Sequence, residues 1–204
     1  MFSSDIKARY ILADTTALDA DGVCQSQTPA SAGNLTINGA QASGGVASFT
    51  AARQITIASS SNISNRTFTI TGTDAAGNAQ VETITGPNNA TVTTTGYFKT
   101  ITQIAISGAA AGALTVGMNG NAADAIFAGR MRLRGAHMLF SGTGGVLTFK
   151  EGSATGTTNL QMGAAAAANV TESLYVPEDG ILFVDGGYLL YPVAAVVSIT
   201  IFYA

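Results

Sequence analysis

Thr67-Phe68-Thr69-Ile70-Thr71 is followed by Gly72-Thr73-Asp74-Ala75-Ala76-Gly77-Asn78-Ala79 and then by a return segment carrying Val81 and Ile84. The first five residues alternate strictly, with Phe68 and Ile70 on one face and threonines on the other. Period-two alternation of β-branched and aromatic residues is the signature of a half-buried strand. The eight residues that follow are rich in Gly, Asp and Asn, which favour tight turns. Together they predict a β-hairpin.

The same grammar extends in both directions. Upstream, Leu35 and Ile37 flank Thr36, Val46 and Phe49 follow Gly44-Gly45, and Arg53-Gln54-Ile55-Thr56-Ile57 alternates again. Downstream, Gly86-Pro87-Asn88-Asn89 turns the chain into Thr91-Val92-Thr93-Thr94-Thr95 and Ile101-Thr102-Gln103-Ile104-Ala105-Ile106, and Leu114 and Val116 close the series. Short strands separated by frequent turns predict an all-β fold of β-sandwich type over residues 34–120. Residues 121–129, rich in alanine, are expected to be a linker. A second series over residues 130–204 predicts another small sandwich, barrel or jelly roll. It includes Val146-Leu147-Thr148-Phe149, Ile181-Leu182-Phe183-Val184 and the terminal Val196-Val197-Ser198-Ile199-Thr200-Ile201-Phe202-Tyr203. The alanine run within 163–168 is expected to be helical or irregular.

Residues 1–33 differ from the rest. Asp5, Asp14, Asp19 and Asp21 lie here, alternation is weak, and Gln25 to Gly33 reads as a loop. The segment is expected to form an extended N-terminal arm that docks on a neighbour.

Composition limits the chemistry. Only 10% of the 204 residues are charged, against about 25% in ordinary globular domains. Hydrophobic residues make up 47%, and the mean hydropathy is +0.31. No apolar run approaches the roughly 20 residues of a membrane-spanning helix, so a membrane partner is not expected. A net charge of −3 and a pI near 4.9 argue against nucleic acid, whose binding depends on clustered Lys and Arg. A single cysteine, Cys24, leaves no intrachain disulfide framework. With no apolar leader in Met1 to Lys7, synthesis in a reducing cytosol is expected. The five Asn-x-Ser/Thr sequons, at Asn34, Asn62, Asn65, Asn89 and Asn169, are then by-products of Asn/Thr-rich turns. So few surface charges predict that the subunit hides surface in an assembly.

Few residues offer themselves as a site. Arg130, Arg132 and Arg134 are spaced by two, which would put three guanidinium groups on one strand face, able to hold a neighbour's carboxylates. Together with Asp14, Asp19 and Asp21 they form the candidate interface. Gly142-Thr143-Gly144-Gly145 matches no phosphate-binding fingerprint and reads as a hairpin turn. Asp19-Ala20-Asp21-Gly22 resembles a calcium-loop fragment without the remaining ligands. His137, the lone histidine, has no Gly-x-Ser-x-Gly elbow and reads as structural. Cys24 has no basic neighbour to activate it. Glu82, Glu151, Glu172 and Glu178 show no paired-carboxylate pattern. No catalytic residue, metal ligand or cofactor is implied.

Several stretches resemble small β-rich structural proteins of tailed bacteriophages. They are Asp21-Gly22 through Gln27-Thr28-Pro29, Gly33-Asn34-Leu35-Thr36-Ile37-Asn38-Gly39-Ala40, Thr69 to Asn78, Thr85-Gly86-Pro87, Phe98 to Ile104, Gly180-Ile181-Leu182-Phe183 and Ser198 to Tyr203. The resemblance implies a non-enzymatic virion component of the head decoration, or cement, type. Such a protein would be a homotrimer bound to the major capsid protein on the outer shell, assembled in the host cytoplasm. The alternatives are a short head or tail fibre component, or a carbohydrate-binding receptor module. The last would need exposed aromatics beside polar groups, and Tyr188, Tyr191 and Tyr203 lie in apparent strands.

Overall fold

The computed structural model describes residues 5–14, 16–164 and 166–204. The protein is all-β and its sheets are antiparallel. The strands among the described residues are β1 (Lys7–Leu12), β2 (Asp19–Gln27), β3 (Gly33–Asn34), β4 (Ala42–Ser43), β5 (Val46–Asn62), β6 (Thr67–Thr73), β7 (Ala79–Thr85), β8 (Asn88–Ile106), β9 (Leu114–Phe127), β10 (Met131–Ser141), β11 (Gly145–Glu151), β12 (Thr157–Ala164), β13 (Ala168–Tyr175), β14 (Ile181–Phe183), β15 (Gly187–Pro192) and β16 (Val196–Tyr203). The chain divides into two compact units, residues 18–120 and residues 1–17 with 121–204.

In the 18–120 unit the strand order is β9-β5-β8-β6-β7, with β2 on β9, β3 on β8 and β4 on β5. The hairpin at its edge forms as its sequence predicts. Phe68 and Ile70 are buried, while Thr69 and Thr83 bond across β6 and β7 through their hydroxyls at 3.0 Å. Asp74 closes the turn by accepting the Ala76 and Asn78 N–H groups at 2.9 and 2.8 Å, and Gly77 takes the left-handed φ of 88°. The strand runs on to Thr73, however, so Gly72 lies in the ladder rather than in the turn. Its role is spatial, because a Cβ there would lie 1.9 Å from the Thr100 carbonyl oxygen. Val23, Cys24, Phe49, Ile55, Phe68, Phe98, Ile104 and Val116 belong to one buried cluster.

A polar strip runs through this unit. Arg53 is 0% exposed, and its Nε and Nη2 donate to the Asn119 carbonyl, the first at 3.2 Å. Asn119 Nδ2 donates to Gln54 Oε1 at 2.8 Å, and Gln54 Nε2 to the Thr94 carbonyl at 3.0 Å. β5 and β8 shift register between Gln54 and Thr56, so β8 bulges around Thr94 to Gly96. The Glu82 carboxylate fills the bulge by accepting the Thr95 and Gly96 N–H groups at 2.7 and 2.8 Å. The Thr95 and Gly96 N–H groups freed by the irregularity thereby gain partners, as buried polar groups require.

In the second unit one sheet has the order β1-β16-β10-β13, with β14 on β10, and another set of strands follows β12-β11-β15-β9. Two expectations are corrected and a third is decided between its two readings. First, residues 1–33 do not form a separate arm. β1 pairs with β16 in the register Lys7↔Tyr203 to Leu12↔Ser198, and β2 belongs to the other unit, where Val23 and Cys24 are fully buried. The alternation of β1 is masked because its outward residues, Ala8, Tyr10 and Leu12, are themselves apolar. Second, residues 121–127 are no linker but the second half of β9, paired with β15 from Asn121↔Pro192 to Phe127↔Gly187. Their alanines pack in the ladder, with Ala122 and Ala123 fully buried. Third, of the two readings of the alanine run, the irregular one holds at residues 166–167. β12 runs to Ala164 and β13 starts at Ala168, while Ala165 lies outside the described residues.

Tyr191 makes the main buried polar link of this unit. Its hydroxyl donates to Asp124 Oδ2 at 2.8 Å and accepts the Asp14 backbone N–H at 3.2 Å. Burial, then the Asp124 carboxylate, pushes the phenol well above its ordinary value of 10.0. The folded state therefore keeps a proton that the unfolded chain releases, and stability is lost as pH rises above 10. The expected slope is about 1.4 kcal/mol per pH unit for the one group. Urea midpoints of wild type and Tyr191→Phe at pH 8, 10 and 11 check this. The variant should be weaker by about 1–2 kcal/mol at pH 8 for its lost hydrogen bonds, and the difference should shrink at pH 11. An unchanged difference would place the alkaline loss elsewhere.

Candidate interaction surface

The outer face of the β1-β16-β10-β13 sheet is the distinctive surface of this unit. Three cross-strand rows face outward: Ala8–Phe202–Gly135–Tyr175, Tyr10–Thr200–His137–Ser173 and Leu12–Ser198–Leu139–Thr171. Tyr175 is 80% exposed, Tyr10 63% and Leu12 61%, and Ile6 and Phe202 are also exposed. Sheet faces open to water normally carry polar side chains at such positions, and here Tyr10, Leu12, Tyr175 and Phe202 form an exposed apolar patch beside Thr200, His137 and Ser173.

β10 carries the local geometry. It shifts register against β16 between Leu133 and Gly135, so Arg134 is the extra residue of a bulge. The bulge resets the alternation: Met131 and Leu133 point inward before it, and Ala136 and Met138 after it. Gly135 sits where β13 approaches closely, since a Cβ there would lie 2.6 Å from the Leu174 carbonyl oxygen. Its missing side chain leaves a depression between Phe202 and Tyr175. The resulting pocket has a volume of about 460 Å³ and is lined by Ile6, Arg134, His137, Ser173, Tyr175 and Phe202 among others.

The arginine row is only partly as expected. Arg132 and Arg134 are half-buried on β10, but Arg130 precedes the strand and is exposed. Arg132 Nη1 donates to the Asp179 carbonyl at 3.4 Å, whereas Arg134 has no acidic partner among the described residues. The acidic candidates do not gather. Asp14 is 3% exposed and accepts the Thr16 N–H at 2.9 Å, so its carboxylate is engaged within its own unit rather than offered to a neighbour. Asp19 and Asp21 lie in the other unit, where Asp19 Oδ1 accepts the Asp21 N–H at 3.2 Å. Among the described residues no group of three His, Cys, Asp or Glu is placed to hold a metal ion.

His137 is exposed rather than built into the core, and its Nδ1 shares a 3.0 Å hydrogen bond with Ser173 Oγ. Cys24 is fully buried, and burial pushes its thiol up to about 12. Glu151 accepts Asn159 Nδ2 at 2.9 Å and the Val184 N–H at 2.7 Å, which hold its carboxyl below the ordinary value. Of the tyrosines weighed in the sequence, Tyr188 and Tyr191 are buried. The exposed aromatics among the described residues are Tyr10, Phe127, Tyr175 and Phe202. Their strands alternate in sequence, but which face lacks a cover is a tertiary fact. A second groove, in the 18–120 unit, is lined by Ser26, Ser59, Ser60, Asn89, Thr91 and Thr115 with alanines and Leu114. It contains no titratable side chain, so acid–base chemistry has no group to start from there.

No family model matches the chain, and no curated protein matches it. Among solved structures, the chain aligns with one described as "Structure of infectious bursal disease virus Gx strain". That alignment covers 95% of this chain and 78% of the other at 12% identity with a TM-score of 0.13. A score that low carries no argument about fold or function.

Proposed function

We propose that the chain is a non-enzymatic structural protein of a bacteriophage virion, a head decoration protein that binds the outer capsid shell as a homotrimer and stabilises it. The observation that carries this reading is β1. Among the described residues it pairs only with β16, so its other edge presents free backbone groups, and its outward side chains Tyr10 and Leu12 are apolar and exposed. Natural monomers blunt such edges with charge, proline or a covering loop. β1 carries Lys7 and Arg9 as well, but Arg9 Nη1 donates to the Ile126 carbonyl at 3.0 Å. An open edge whose outward face is apolar suits a protein that completes its sheet against another chain. Of the eleven exposed large hydrophobic residues among those described, nine belong to this unit, namely Ile6, Tyr10, Leu12, Phe127, Val146, Val170, Tyr175, Val184 and Phe202. The unit containing residues 121–204 is therefore the better candidate for the assembly contacts than the 18–120 unit.

Light scattering of the purified protein should give a trimer, and incubation with undecorated heads should give stoichiometric binding and greater heat resistance. The double variant Tyr10→Lys/Leu12→Lys should remain folded, because both side chains already face water, yet lose assembly or shell binding. A wild-type monomer that ignores capsids overturns the function. A double variant that assembles and binds normally removes β1 from it.

A further inference from the structure

The geometry points to the depression over Gly135 as a binding site for an acidic sugar, with a uronic-acid ring seated between Tyr175 and Phe202 and its carboxylate on Arg134. The site shares its sheet face with Tyr10 and Leu12, and its test is made on the free chain, so its outcome is separate from that of shell binding.

Tyr175 and Phe202 stand in one cross-strand row on either side of Gly135. Two strand spacings separate their backbones by roughly 10 Å, which leaves room for one ring between the side chains. The volume of about 460 Å³ falls within the range of small-molecule sites. Aromatic walls suit the C–H faces of a sugar, which are apolar while its rim is polar. Tyr175 is 80% exposed, so most of its ring is open among the described residues.

The polar groups select the charge and the body of the ligand. The lining includes Arg134, which no acidic side chain among the described residues pairs, and no carboxylate contributes to the pocket. An arginine facing an apolar-walled cavity favours a carboxylate, which it can hold by two parallel hydrogen bonds. In the next row, His137 and Ser173 bond each other through Nδ1 and Oγ, leaving His137 Nε2 and further capacity at the Ser173 hydroxyl. A planar aromatic acid would set C–H groups against them, whereas a sugar ring brings hydroxyls. That difference decides for a sugar acid over an aryl acid.

His137 is the only histidine in the chain, so its ring protons give one isolated reporter in the proton NMR spectrum. Titrating the full chain with sodium D-glucuronate should shift those signals saturably. D-Glucose should bind at least tenfold more weakly, the equivalent of about 1.4 kcal/mol for one lost charge-assisted contact. Arg134→Gln should abolish that preference, and Tyr175→Ala should weaken both sugars about tenfold. Both variants alter exposed or half-exposed side chains, and the dispersion of the remaining spectrum verifies that they fold. Equal shifts with glucose and glucuronate, or none with either, overturn the proposal. Tighter binding of benzoate, or of a Glu-Phe dipeptide, also overturns it and reassigns the slot to an aryl acid or to a protein side chain.

Discussion

Replacing Arg53 by alanine is expected to lower the stability of the 18–120 unit by about 4 kcal/mol. The side chain is 0% exposed and among the largest fully buried ones in the protein. Truncating a large buried side chain costs about 3–5 kcal/mol through lost packing and the cavity left behind. The Asn119 carbonyl, which accepts both Nε and Nη2, also loses those donors, which costs about 1–3 kcal/mol when an acceptor is left buried. Relief from burying a cation offsets part of the sum. Arg53→Met separates the contributions. It keeps most of the volume and sheds the charge, so it should cost about 1 kcal/mol. Urea unfolding of the three proteins checks the order. An alanine variant within 1 kcal/mol of wild type, by the same scale, would mean that the strip from Arg53 to Glu82 does not hold β5 and β8 in register.

The second large effect is expected at Gly117. β2 crosses β9 with a break in register between Asp19↔Met118 and Cys24↔Val116. The crossing is so close that a Cβ on Gly117 would lie 1.9 Å from the Asp19 carbonyl oxygen and 2.5 Å from the Ala20 carbonyl carbon. Both obstacles are backbone, so no side-chain rotation can clear them. Gly117→Ala must lift β2 and with it Val23 and Cys24, which are fully buried. Overpacking of this kind costs about 3 kcal/mol. Cys24 supplies the readout. It is the only cysteine, and burial keeps its thiol protonated and shielded, so a thiol reagent reaches it through opening of this unit. Labelling should quicken roughly 100-fold in the variant when opening is in rapid pre-equilibrium. Unchanged labelling would mean that β2 tolerates the methyl group.

Much of this fold is legible because alternation and turn chemistry are local. Phe68 and Ile70 against the threonines, and Asp74 to Asn78 in the turn, need no knowledge of the rest of the chain. What sequence hides depends on partners. Gly72 and Gly117 look like turn or loop glycines, yet both serve strands that touch backbone to backbone. Ala122 to Ile126 looks like linker because small residues show no contrast between the two faces of a strand. β1 hides for a different reason: its outward residues Ala8, Tyr10 and Leu12 are apolar, while the charged Lys7 and Arg9 share the other face with Ile11. The arginines at 132 and 134 follow the period-two rule, but a bulge intervenes, and no feature of Arg134-Gly135 alone announces it. The pocket was hidden for the same reason. It exists because Gly135 pairs with Phe202 on one side and Tyr175 on the other, residues far away along the chain.

The threonine hydroxyls that clasp β6, β7 and β8, Thr69 to Thr83 at 3.0 Å and Thr73 to Thr100 at 2.7 Å, have one consequence for the solution the protein can occupy. Mobile ions screen charges, over about 8 Å at physiological ionic strength, but they have no purchase on neutral dipoles in contact. A sheet clasped by hydroxyls keeps its grip from dilute buffer to brine. The contacts between β6, β7 and β8 that these hydroxyls make are therefore indifferent to ionic strength, unlike the charged ones of Arg53 and Glu82.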